Sequence, residues 1–98
     1  MTTDITTTLQ ERGQRYGKFI SHARITQRLK AVAKAEWRLR LMSGDVTRSM
    51  KPDQQEALDM IFHKIGRIIN GDPDYADSWH DIAGYAQLVA DRLNGVER

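Results

Sequence analysis

The chain has no cysteine, which excludes disulfide staples and thiolate sites for metal or redox chemistry, and fits a reducing compartment. No apolar run approaches the roughly 18 to 20 residues that a membrane span needs, and the opening MTTDITTT is polar and threonine-rich rather than charged and then apolar. A soluble, cytoplasmic protein with no membrane partner is expected. Common catalytic templates are missing as well: there is no glycine-rich phosphate loop and no zinc-protease helix motif. Ser78-Trp79-His80-Asp81 cannot form a nucleophile triad, because neighbours on one helical turn point in different directions. No segment alternates with period two, so strands are not expected.

What is present is charge, unevenly distributed. Between Glu11 and Lys51 there are eleven Lys/Arg against three Asp/Glu, a net +8; from Pro52 to Arg98 there are four against nine, a net −5. A basic half joined to an acidic half can bind a polyanion, or can neutralise itself within the molecule or against a second subunit. With 98 residues, 40% of them apolar, the chain suffices for one domain with a modest core.

Apolar spacing predicts helices. Residues 1–10 read as a flexible N-terminal tail and 11–98 as a single helical domain, with ERGQRYGKF as a loop or short helix that stops at Gly17. From about Ser21, a candidate N-cap, Ile25, Leu29, Val32, Ala33, Trp37 and Leu41 form one stripe, opposite Arg24, Arg28, Lys30, Lys34, Arg38 and Arg40. SGDVTRS reads as a loop. Pro52 suits a first helical position, and Asn70-Gly71 supplies a left-handed stop after a face of Leu58, Ile61, Ile65, Ile68 and Ile69. The last helix, capped by Asp72 or Asp74, carries Trp79, Ile82, Ala86, Val89 and Leu93 and ends at Asn94-Gly95. The expectation is an all-α compact bundle of three main helices plus a short N-terminal one.

Chemistry concentrates where the last two helices meet. Glu56, Asp59, His63 and Arg67 share one face beside the stripe of the first, with Lys64 on its border; Asp77 and Asp81 share a face of the second, with His80 next to it. Gly66 and Gly84 each cost about 1 kcal/mol inside a helix relative to alanine, and a close crossing of the two helices would explain both. Lys64 and Arg67 would then reach Asp77 and Asp81. Two readings follow: a salt-bridged seam that fixes helix register, or a site where Glu56, Asp59, Asp77 and Asp81 offer oxygen ligands to Mg²⁺. Two or three ligands around His63 are weak grounds for zinc, and His22 reads as a hydrogen-bonding residue.

The same residues carry a resemblance. RYGKF with His22 a few residues on, followed by EALDMIFHKIGRIINGDPDYADSWHDIAGYAQLVADRL, resembles a small domain of unknown function common in tailed phages and prophages, over roughly residues 11 to 93. That domain is in turn similar, more distantly, to the MazG-like all-α nucleotide pyrophosphohydrolases, whose Mg²⁺ motif has the form EExxE and later ExxD. The resemblance implies a helical, oligomeric protein that handles nucleotide phosphates, in the host cytoplasm if phage-encoded. Where that family places EExxE, this chain has His63, Lys64 and Arg67; where it places ExxD, Ser78 holds the first position and Asp81 the second, with Asp77 one residue earlier. Exchanging carboxylates for Lys64 and Arg67 removes Mg²⁺ ligands and adds phosphate donors.

Three functions are therefore expected, in this order. The first is a phage-type accessory protein that binds a nucleotide or nucleotide-derived signal without turnover. In it Lys64, Arg67, His63, His22 and the Arg15/Tyr16 loop contact the ligand, and Asp77 and Asp81 orient the cations. The second is an Mg²⁺-dependent pyrophosphohydrolase using Asp81, Asp77, Glu56 and Asp59. The third is a module acting on a host protein or a nucleic acid through the basic helix from Arg24 to Arg40, where aromatic interleaving is limited to Trp37. Apolar surface left over on three helices also argues for a homo-oligomer.

Overall fold

A computed structural model describes residues 4–98, and these residues form four helices: α1 (Ile5–Tyr16), α2 (Phe19–Ser43), α3 (Pro52–Asn70) and α4 (Ala76–Leu93). No strand occurs among the described residues, and no helix among them is long and apolar enough to cross a membrane.

The tail expected over residues 1–10 is helical from Ile5 on. The Asp4 carboxylate accepts from the Thr6 N–H at 3.1 Å and caps the first turn, which offsets the low helix propensity of Thr6, Thr7 and Thr8. The helix stops at Gly17, as its sequence suggests: Gly17 has φ of 76° and its N–H donates to the Gly13 carbonyl. The second helix begins at Phe19, two residues before the Ser21 cap expected, with Lys18 in extended conformation before it. It runs to Ser43 and ends on Gly44 in the left-handed region, φ 79°.

Pro52 opens α3, and the Gln54 side chain accepts from the Lys51 N–H at 2.7 Å. At its other end the left-handed stop does not form. Gly71 has φ of −135°, so another constraint selects glycine there. Neither Asp72 nor Asp74 caps α4: Tyr75 stands at the N-cap position, while the Asp72 carboxylate accepts from the Asp74 N–H within the turn.

Helix α3 lies between α2 and α4, and those two do not pack against each other. The bundle is thus elongated rather than compact, 52 × 31 × 25 Å with a radius of gyration of 16.4 Å, against about 13 Å for a compact domain of this length. Its apolar stripes are only half used. Ala57 is the one buried apolar side chain among the described residues, while Val32, Leu58, Ile69, Trp79 and Leu93 of the expected stripes stay exposed.

Candidate functional site

Two short motifs distant in sequence lock onto each other. The Asn70 side-chain amide donates to the carbonyls of Tyr16 and Lys18 at 2.8 and 2.9 Å, and the Asp72 N–H donates to the Arg15 carbonyl at 2.7 Å. A Cβ on Gly71 would overlap the Arg15 carbonyl oxygen and the Tyr16 backbone, and one on Gly17 would overlap Asn70. RYG and NGD are therefore complementary backbone surfaces that hold the α1–α2 turn on the α3–α4 turn. Around this lock, Arg15 donates to the Tyr75 hydroxyl at 3.1 Å and that hydroxyl donates to Asp77 at 2.9 Å. The carboxylate beside it holds the Tyr75 phenol pKa above its ordinary value.

Gly66 explains a different crossing from the one expected. A Cβ there would meet Thr26 Oγ1 and the His22 ring, so the glycine admits α2, not α4; Gly84 has open space around it. At the α2–α3 crossing His22 is buried, and its Nε2 lies 3.0 Å from the His63 carbonyl oxygen and 3.2 Å from Thr26 Oγ1. Since a carbonyl only accepts, Nε2 carries the hydrogen and donates it across the helices. The His22 and His63 rings meet edge to face, with centroids 4.5 Å apart.

Of the two cation–carboxylate pairs expected between α3 and α4, one forms. Lys64 Nζ lies 2.9 Å from Asp81, and Lys64 is buried at 8% exposure. The hydrogen bond from Lys64 holds the Asp81 carboxyl below its usual pKa, opposed by partial desolvation. Arg67 forms no ion pair among the described residues; its guanidinium lies over the Tyr16 ring, 4.2 Å from the centroid. Asp77 is engaged by Tyr75 instead.

The four carboxylates considered for Mg²⁺ do not converge. Asp81 faces Lys64, Asp77 faces Tyr75, Asp59 lies 3.8 Å from Lys34 on α2, and Glu56 lies beside Asp53 and Arg92 at the far end of α3. No three His, Asp or Glu side chains among the described residues are placed to hold one ion.

What the fold does assemble is a cationic groove. Arg12 of α1, Lys18 of the turn and Arg67 of α3 line a cavity of about 620 Å³ together with Tyr16, Phe19, His22 and His63, and no carboxylate lines it. Arg12, Lys18 and Phe19 went unassigned in the sequence because nothing local links them to Arg67; only the RYG–NGD lock brings α1 beside α3. Within the groove His63 is half-buried. Desolvation, then the charges of Arg67, His22, Lys64 and Lys30, press its pKa from 6.5 to about 4. It is a neutral imidazole at pH 7 among cations.

Stability should follow this titration. The unfolded chain takes up a proton at His63 near pH 6.5 and the folded chain only near 4, so stability is fully present above pH 6.5 and declines as pH falls from 6.5 to about 4. His63→Gln should flatten that part of the urea-midpoint against pH curve; an unchanged slope contradicts the assignment.

Comparison with curated proteins returned no match, and neither did comparison with solved structures. A family model does match: residues 2–93 fit the Domain of unknown function (DUF6378), and the chain belongs to that family.

Proposed function

We propose that this protein is a phage-type accessory protein that binds a nucleotide or nucleotide-derived signal in the Arg12–Lys18–Arg67 groove and does not turn it over. The observation that carries the reading is three cations on one cavity with no lining carboxylate, beside the exposed ring of Phe19. Phosphate oxygens pair with such cations, and a base stacks on such a ring. The cavity volume suits a ligand of nucleotide size. Lys64, the leading phosphate contact by sequence, is engaged by Asp81 and serves the frame; Arg67 takes over that role. Tyr16 supports it from beneath. His63, neutral at pH 7, can accept a hydrogen bond from a ribose hydroxyl or a protonated phosphate.

Absence of turnover in this reading follows from the use of Asp59, Asp77 and Asp81 by other side chains, which leaves no carboxylate set to assemble Mg²⁺ for in-line attack by water. The MazG-like frame is kept in this reading while its chemistry is given up, and the working unit is a homo-oligomer.

A thermal-shift panel of mono-, di-, tri- and cyclic nucleotides tests it. At least one should raise the melting temperature, by about 2.7 kcal/mol of stabilisation at a hundredfold excess over Kd. Arg67→Ala with Lys18→Ala should abolish the rise, and no pyrophosphate should be released with Mg²⁺ or Mn²⁺. A panel without any rise, or a rise indifferent to both substitutions, sinks the proposal.

A further inference from the structure

A basic half joined to an acidic half can neutralise itself, and within this molecule it does not. Of the four ion pairs among the described residues, three join partners that both belong to the acidic half: Lys64–Asp81, Arg92–Asp53 and Arg98–Asp91. Only Lys34–Asp59 crosses between the halves, at 3.8 Å and with the Lys34 side chain 65% exposed. Helix α2 holds six Lys/Arg against one carboxylate, Glu36, and α4 lies across α3 from it without touching it. The cations from Arg24 to Arg40 thus extend along about 24 Å of helix and stay open to an anion from outside.

Three of them form a row. Lys30, Lys34 and Arg38 stand on successive turns, about 6 Å apart along the axis, and line a groove of about 390 Å³ between α2 and α3. Trp37 of α2 and Phe62 of α3 line the same groove; both are half-buried, so each keeps ring surface open to it. One carboxylate, Asp59, lines it too. It faces Lys34, which leaves Lys30 and Arg38 with no carboxylate partner among the described residues and the groove net cationic. A cation row beside aromatic faces suits a single nucleic-acid strand, whose successive phosphates follow the row while an unstacked base lies on a ring. A duplex keeps its bases stacked on one another, and an acidic peptide carries no planar group for Trp37.

We propose that the α2–α3 groove binds single-stranded nucleic acid without sequence selection, with phosphates on Lys30, Lys34 and Arg38 and a base on Trp37. It is a second site, because it shares no lining residue with the Arg12–Lys18–Arg67 groove. Asp59 moderates it by holding Lys34, so Asp59→Asn should tighten binding.

Fluorescence anisotropy of a labelled oligothymidylate of about 15 nucleotides tests it. Between about 50 and about 200 mM NaCl the affinity should fall about 20-fold, as three phosphate contacts require. Lys30→Gln with Arg38→Gln should weaken binding and cut that fall to about threefold. Arg24→Gln with Arg28→Gln removes the same charge from residues that do not line the groove, and should leave the fall at about 20-fold. In a Trp79→Phe background Trp37 is the one tryptophan, and binding should quench its fluorescence by stacking. No binding at about 50 mM NaCl overturns the proposal, as does an unquenched Trp37 or an equal loss from the two double variants. Equal affinity for a duplex of the same length overturns it by dispensing with the stacked base. Equal affinity for poly-glutamate overturns it in favour of an acidic protein.

Discussion

Gly71→Ala should destabilise the protein by about 3 kcal/mol or more, lowering the thermal midpoint by more than about 10 °C. The added methyl would overlap the Arg15 carbonyl and the Tyr16 backbone, and backbone cannot step aside by changing rotamer. Relief requires the two turns to separate, which breaks the Asp72–Arg15 bond and weakens both Asn70 clamps. The two Asn70 bonds are at most part-buried, so the steric overlap carries most of the loss. Gly13→Ala is the control, since that helical glycine has open space and alanine there should stabilise by roughly 0.5–1 kcal/mol. Equal effects of the two substitutions on the urea midpoint would show that the turns do not interlock.

Asp81→Ala should lower the midpoint by roughly 5–10 °C, more than Lys64→Met does. It removes the counter-charge from a lysine whose side chain is 11% exposed, whereas Lys64→Met withdraws that charge and refills its space. The double variant should resemble Lys64→Met alone, because Asp81 is half-exposed and tolerates solvation. Additive losses would mean that the two residues act independently and that the seam is not an ion pair.

This seam is the part of the site most legible in the sequence. Helical spacing put Lys64 and Asp81 on facing borders, and Pro52 with Asn70 marked the limits of α3, because caps and i, i+4 faces are local properties. The depth of Lys64 was not legible: its Cβ lies at the stripe's edge, and burial depends on how α4 lies across α3. Gly71 looked like a left-handed stop because Asn-Gly usually is one. Its real constraint is steric and comes from residues 15 and 16, a contact that no periodicity encodes. Gly66 misled similarly, since a helical glycine says that something approaches but not which helix. The first half of α1 was read as tail because threonines argued against a helix there and its cap, Asp4, lay inside that tail. The cationic groove went unseen because it depends on α1 lying beside α3, which no local pattern encodes.

His63 offers the most direct reading of where an anion binds. Its imidazole resonances, followed by NMR from pH 3.5 to 8, should titrate near 4 in the free protein, held there by burial and by Arg67, His22, Lys64 and Lys30, with Arg12 and Lys18 also on the groove. Saturating ADP should raise that midpoint by at least about one unit, since phosphate in the Arg12–Lys18–Arg67 groove offsets the cations that depress it. A midpoint near 4 that does not move with ADP bound would contradict the account, because the ligand would then sit elsewhere.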